Sequence, residues 1–247
     1  EKHLVLDMAI YMQMSEEDRA ELAIDVEALS AAVAKNKDEY IAVSGFDEYE
    51  WAHRMAEVAK QAIALFEEQI AQPQTFIVRE DGMEANIRWV LDVAKPDEKV
   101  IIWAHNLHIA QDILDAHMSG RPPEENLDLM SFHLGRYLGD EMVSIGMTFN
   151  TADGEMLPEG AAPKGTMNDT FAQVGLKNFM VDLRTAPESG PTAEWLNGQQ
   201  SVVIDMDGRA RFAPGKCFDI LVYTDTVHRA AMSKSAQEKF KAMQSEF

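Results

Sequence analysis

The sequence predicts an α/β protein, a mostly parallel sheet flanked by helices and preceded by a helical N-terminal region. Three observations predict it. Through most of the first 95 residues apolar side chains recur at spacings of three and four, the helical period. From residue 99 onward, short runs rich in β-branched and aromatic residues take over. Those runs alternate with helical or loop material, the order of a sheet wound between helices.

Taken in order, Ser15 followed by Asp18 is an approximate capping signal ahead of Leu22, Val26, Leu29 and Val33, the first helix. Trp51, Met55, Val58, Ala62 and Leu65 form one apolar stripe, read as packing surface, that Pro73 stops. A third helix from about Gly82 carries Met83, Ile87, Val90 and Leu91 and ends before Pro96. Residues 99–104 (Lys-Val-Ile-Ile-Trp-Ala) are apolar on both faces, as a central strand covered by helices requires. Ile109, Ile113 and Leu114 suggest a helix closed by Gly120 and Pro122, and Leu127, Met130, Leu134 and Leu138 suggest another that Gly139 ends. Residues 142–149, 178–183, 201–206 and 218–224 are the further strand candidates. Residues 150–168, with Gly154, Pro158, Gly160, Pro163 and Gly165, read as a long loop of the kind that is often functional. Residues 1–75 form a helical region, a possible lobe of the same domain, and residues 76–247 an α/β domain.

The 247 residues are 46% hydrophobic, enough for one large core or two small ones. With 42 acidic and 22 basic residues the formal charge is −20, which repels a phosphate backbone and argues against nucleic acid as a partner. Acidic runs such as Glu16, Glu17 and Asp18, or Glu124 and Glu125, read as solvated surface. No run approaches the roughly 20 apolar residues of a membrane span, and no basic-then-apolar leader opens the chain, so a cytoplasmic protein without membrane contact is expected. Cys217 is the single cysteine, read as a packed thiol. The chain opens at Glu1 rather than methionine, which reads as a fragment of a longer protein.

In an open α/β sheet the ligand site lies beyond the carboxyl ends of the strands, and His105 falls where the strongest predicted strand ends. Asn106 follows as a helix cap or a substrate hydrogen-bond partner, and His108 lies one helical turn beyond His105. A histidine so placed can act near neutral pH as a general base on water. The same spacing equally fits two satisfied histidines packing a strand–helix turn. Adding Asp112 gives a two-histidine, one-carboxylate pattern that permits a metal site, or simply an exposed helix residue. The second cluster is Arg79, Glu80, Met83, Asn86 and Trp89. An asparagine on an apolar helix face needs a hydrogen-bond partner. Arg79 can orient a carbonyl or carboxylate and Glu80 a histidine, or the two can form an ordinary ion pair and helix start. His105 and Arg79 are expected at one concave pocket, with His117, His133 and His228 outside it.

The string from Arg79 through Asn86 and Trp89 to residues 99–109, with Trp103, Ala104, His105, Asn106 and His108, resembles the signature of the erythromycin esterase family. Weaker matches follow in order at Leu134, Gly135, Leu138 and Gly139, at Ser144, Gly146 and Phe149, and at Phe218, Asp219, Leu221 and Tyr223. The likeness covers residues 75–226. It implies an α/β hydrolase, unrelated to the serine-nucleophile esterases, in which histidine-activated water attacks an ester or macrolactone carbonyl without a cofactor, a chemistry associated with macrolide antibiotic resistance. It implies catalytic roles for His105, His108 and Glu80, and substrate binding by Arg79, Asn106, Asn86 and Trp103. The family's Gly-Glu-x-x-His-Gly segment, which holds the histidine usually assigned as general base, is not among these residues. The chain is therefore expected to be a fragment or to lack the family reaction as described. Two alternatives stand beside the hydrolase reading, a metal-dependent hydrolase using His105, His108 and an acid, and a catalytically silent binding protein.

Overall fold

The computed structural model describes residues 8–73, 77–112, 115–117, 129–152, 162–203, 209–228 and 233–235. By contacts the chain divides into two compact units, Glu1–Ile113 with Glu125–Met142, and Leu114–Glu124 with Val143–Phe247.

The first unit is helical. It contains α1 (Met8–Gln13), α2 (Glu16–Lys35), α3 (Lys37–Ser44), α4 (Phe46–Ala71), α5 (Ile77–Trp89) continued by a π-helical turn (Val90–Ala94), the single turn α6 (Asn106–Ile109), and α7 (Met130–Leu138). Ser15 caps α2, its hydroxyl accepting from the Asp18 amide at 3.1 Å. The core joins α1, α2 and α4 through Tyr11, Val26, Ile63 and Phe66. The Tyr11 hydroxyl donates to Glu67 at 2.7 Å, and burial with that carboxylate pushes the phenol up to about 12. On α4 the enclosed residues are Tyr49, Ala56, Ile63 and Phe66, whereas Trp51 and Met55 of the expected packing stripe are exposed. The stripe packs in part: Ala62 and Leu65 lie against the core and Trp51 meets the Trp89 ring edge-on at 4.6 Å, while Tyr49, Ala56, Ile63 and Phe66 go deepest. The third helix begins at Ile77, ahead of Gly82, and so includes Arg79 and Glu80.

Residues 99–104 correct the sequence reading. They form no strand among the described residues, and Ile101 and Trp103 stand 93% and 83% exposed. A β-rich run becomes a strand only when another strand supplies its hydrogen bonds. The helix expected after it shrinks to the four residues of α6. Ile113, Leu114, Gly120 and Pro122 of that expectation, and Leu127, lie outside the described side chains.

The second unit contains β1 (Asp115–His117), β2 (Ile145–Ala152), α8 (Met167–Ala172), β3 (Asn178–Asp182), α9 (Pro191–Asn197), β4 (Gln200–Val203), β5 (Arg209–Phe212), α10 (Pro214–Cys217) and β6 (Ile220–Val227). Its strands form two three-stranded sheets, ordered β1-β5-β4 and β2-β6-β3. The only parallel pairing among described residues is β2 with β6, and the other three pairings are antiparallel. Among the described residues the sheets are therefore small and of mixed strand orientation rather than mostly parallel. Parallel pairing needs a crossover of a dozen or more residues, and the short segment between β4 and β5 permits only the antiparallel arrangement. The strand β5 was not expected, and residues 204–206 of the β4 candidate lie outside the described residues, as do residues 153–161 of the expected loop.

Two residues fix the arrangement. Asn168, fully enclosed, donates through Nδ2 to the carbonyls of Phe149 (2.8 Å) and Val203 (3.3 Å) and accepts from the Val203 amide (2.9 Å), linking β2 to β4. Gly146 on β2 leaves the room that Phe218 and Leu221 fill. Cys217 is enclosed at the end of α10, as expected of a packed thiol.

Candidate active site

The first unit gathers Arg79, Glu80, His105 and His108 at one place. Helix α5 puts Arg79 and Glu80 side by side in its opening turn, and α6 supplies the two imidazoles. Glu80 is 3% exposed, and a carboxylate so enclosed must be matched by donors. Its Oε2 accepts from the Met130 amide at 3.1 Å, capping α7, whose Leu129 cap residue has no side chain able to do so. Its Oε1 lies 2.6 Å from His108 Nδ1, a close contact that is not aligned as a linear hydrogen bond. On the other edge of the ring, Arg79 Nη1 donates to His108 Nε2 at 3.1 Å.

That geometry selects a tautomer. A guanidinium has no acceptor, so Nε2 of His108 must be the unprotonated nitrogen and the ring proton sits on Nδ1, facing Glu80. His108 is thus hydrogen-bonded at Nε2 and faces the Glu80 carboxylate with Nδ1. His105 caps α6, its Nδ1 accepting from the Leu107 amide at 3.3 Å. In the neutral ring the proton is then on Nε2, and the exposed His105 presents a donor edge to solvent. The two rings lie 6.5 Å apart at 75°. As placed, the pair offers one hydrogen-bond donor and a braced imidazole beside a cation, which suits an oxygen gaining negative charge.

The remaining expected site residues are placed differently. Asn86 points into the α4–α5 packing, accepting from Arg54 Nε at 2.8 Å and donating to Gln61 at 3.0 Å. Asn106 opens α6 beside His105, and Trp103, two residues before that cap, is exposed. Among the described residues no group of three histidine, cysteine or acidic side chains is assembled to hold a metal ion, so His105, His108 and Asp112 do not form the triad their spacing permits. His133 lies on α7 against Phe132. The His117 side chain lies outside the described residues, and His228 belongs to the second unit. A cleft of about 560 Å³ opens elsewhere, between α2, α4 and α5, lined by Val26, Lys60, Val78 and Asp81 and by none of the four clustered residues. The sequence reading missed the Met130 amide, which carries no side-chain signal, and the Arg54 and Gln61 partners, which the polar Asn86 on an apolar face announces only in kind.

Fold and cluster together define a helix-rich α/β protein with a histidine, carboxylate and guanidinium centre on its helical unit. This chain belongs to the erythromycin esterase family, whose model matches residues 3–227. Solved structures share its fold. A protein from Bacillus cereus is 23% identical, with a TM-score of 0.72, over 92% of this chain and 57% of its own. A mutant of the erythromycin esterase EreC in its open conformation is 14% identical, TM-score 0.66, over 91% of this chain and 57% of its own. A succinoglycan biosynthesis protein is 16% identical, TM-score 0.65, over 90% and 53%. The chain thus spans little more than half the length of each. No curated protein matches the sequence. No helix among the described residues is long and apolar enough to cross a membrane.

Proposed function

We propose that this chain forms part of a hydrolase in which water attacks the carbonyl of an ester or macrolactone. The observation that carries this reading is the bracing of His108 between Glu80 and Arg79 beside the exposed donor edge of His105. His105 donates through Nε2 to the carbonyl oxygen and gains strength as that oxygen becomes an oxyanion. Arg79 and Asn106 orient the substrate, with Trp103 offering an apolar contact beside them. Glu80 acts through His108 by holding its tautomer. Water adds to the carbonyl carbon, the carbon–oxygen bond to the alcohol breaks, and the alkoxide takes up the proton the water gives.

Neither imidazole, as hydrogen-bonded here, keeps a free basic nitrogen. The proton acceptor for the attacking water therefore comes from outside this cluster, in line with the chain spanning about half the length of its structural neighbours. The test is hydrolysis of an activated aryl ester. The 247-residue chain is expected to be inactive, and the product of the complete reading frame active without added metal. His105→Ala in the latter should lower kcat by about 10²-fold, the scale of one lost oxyanion donor. An effect confined to KM would make His105 a uniform binding residue. Full activity of the 247-residue chain, or activity lost to chelator and restored by zinc, would sink the proposal.

A further inference from the structure

Helix α6 is a single turn of four residues that carries His108 and is capped by His105. One turn fixes several backbone dihedrals for few hydrogen bonds, so it holds its place only where neighbouring elements hold it. Helix α5 does so from one side, through Arg79 and Glu80 on the His108 ring. On the other side α6 packs against α7, with Leu107 and Ala110 turned away from water, Ala110 completely. A carbonyl enclosed at the end of a helix needs a donor. The Ala110 carbonyl finds it in the Ser131 hydroxyl, on a side chain that is itself fully enclosed.

Ser131 stands in the first turn of α7, where a serine hydroxyl ordinarily bonds main chain close to it in sequence. Here it reaches 21 residues back. The residue before it, Met130, donates its amide to Glu80 Oε2 at 3.1 Å, and Glu80 Oε1 faces His108 Nδ1 at 2.6 Å. Two consecutive residues of α7 therefore grip two supports of one imidazole. Met130 fastens the carboxylate beside the ring, and Ser131 fastens the main chain two residues beyond it.

We infer that Ser131 is a positioning residue for His108. Its hydroxyl sets the orientation of α6 at which Nε2 meets Arg79 and Nδ1 faces Glu80, and so favours the Nδ1-protonated ring. It touches no substrate and acts only through the Ala110 carbonyl and the turn that ends there. Alanine in its place fills nearly the same space and supplies no donor. The unpaired carbonyl is then relieved by turning α6 toward water, which draws His108 off Arg79. Any consequence for catalysis rests on the hydrolase reading, whereas the placement of the ring does not.

The test is nitrogen NMR of the histidine rings in the 247-residue chain, with amide exchange read at Ala110, whose N–H closes α6 on the Asn106 carbonyl at 3.0 Å. Ser131→Ala should raise the ratio of Nε2- to Nδ1-protonated His108 by about tenfold and speed Ala110 exchange by a similar factor, the scale of one buried acceptor left unpaired. Leu134→Val, which trims an enclosed side chain of the same helix, should lower the melting temperature comparably and leave both readouts unchanged. Ser131→Thr keeps a hydroxyl and should keep the Nδ1-protonated ring, even where its extra methyl costs stability. Should Ser131→Ala not fold, Ser131→Cys, with a weak thiol donor in nearly the same volume, should shift the ratio in the same direction. An unchanged ratio in the folded Ser131→Ala or Ser131→Cys chain would overturn the inference. So would an equal shift in Leu134→Val, which would make the effect one of packing alone. Hydrolysis enters none of these readouts, so a displaced tautomer in an inactive chain supports the positioning of His108 and leaves the hydrolase reading to its own test.

Discussion

A carboxylate that is almost wholly enclosed must be matched oxygen by oxygen, and Glu80 divides its two between the α7 amide of Met130 and the imidazole of His108. Its neighbour Arg79 meets the opposite edge of the same ring, so two consecutive residues of α5 fix one histidine. The nearby Arg54 follows a different logic. Burial pushes its guanidinium down, and its partners are the neutral Asn86 and the face of Trp89, whose ring lies 5.9 Å away. A tautomer prediction belongs to this scale. Nitrogen NMR of the imidazoles should show His108 carrying its neutral proton on Nδ1, since Nε2 accepts from Arg79. A proton on Nε2 would contradict the arrangement. Glu80→Ala leaves the Met130 amide without an acceptor and should destabilise the chain to urea by about 2 kcal/mol. Glu80→Gln keeps an acceptor for Met130 and should cost about 1 kcal/mol, while turning an amide donor toward Nδ1 and disturbing the tautomer. From the sequence alone, Arg79, Glu80, His105 and His108 were recognisable because their residue types and order resemble a family signature. That Asn86 serves packing instead was not, because an asparagine shows its need for a partner and not which partner meets it.

At the scale of elements, legibility followed the kind of interaction that makes each one. The helices α2 and α4 were readable because helical hydrogen bonds are internal to the segment, so period and caps suffice. Ala62 and Leu65 of the α4 stripe pack inward as read, but which residues go deepest was not readable, because Tyr49, Ala56, Ile63 and Phe66 are no more apolar than the exposed Trp51 and Met55. Strands depend on partners. Residues 145–152 and 220–227 formed where expected, within a few residues, while residues 100–104 have equal β character and no described partner. The strand β5 escaped notice because its core-facing positions, Ala210 and Phe212, are too few for a pattern. Gly146 carries the element-scale prediction. A Cβ there would meet Leu221 and Phe218 carbons at 2.8 Å, and those two side chains sit in the enclosed layer behind the parallel pair. Gly146→Ala should therefore destabilise the chain by about 1–3 kcal/mol, the range for overpacking a filled core, whereas the usual glycine-to-alanine change in a strand is mildly favourable. Denaturant unfolding with an unchanged m-value measures it, and a neutral or stabilising result would show that Phe218 yields.

For the whole molecule the dominant electrostatic fact is a formal charge of −20. Two effects of opposite sign act when salt is added. Screening weakens the repulsion among the excess carboxylates, which favours the compact state. It also weakens attractive pairs such as Lys60 with Glu27 at 3.1 Å, Arg19 with Glu67 at 3.3 Å and Arg88 with Glu84 at 3.1 Å. Each of those pairs has at least one partner well exposed to water, where a pair contributes roughly 0–1 kcal/mol, so the long-range repulsion should win. Acid is a poorer probe of the same balance. Hydrogen bonds from Ser30 to Glu57 and from Tyr223 to Asp225 hold both carboxyls below their usual range. A carboxyl depressed in the folded state stabilises fully above its unfolded value, and that contribution disappears as pH falls through the folded one. Acidification below about pH 4 therefore removes repulsion and native carboxylate bonds together. Salt at neutral pH separates them. Raising sodium chloride from about 0.01 M to about 0.15 M shortens the screening length from about 30 Å to about 8 Å. Over that range calorimetry at pH 7 should show the melting temperature rising by a few degrees. A fall would mean that the ion pairs between α2 and α4 and within α5 outweigh the surplus charge, and a flat response would mean that the 20 unbalanced carboxylates lie too far apart to repel measurably.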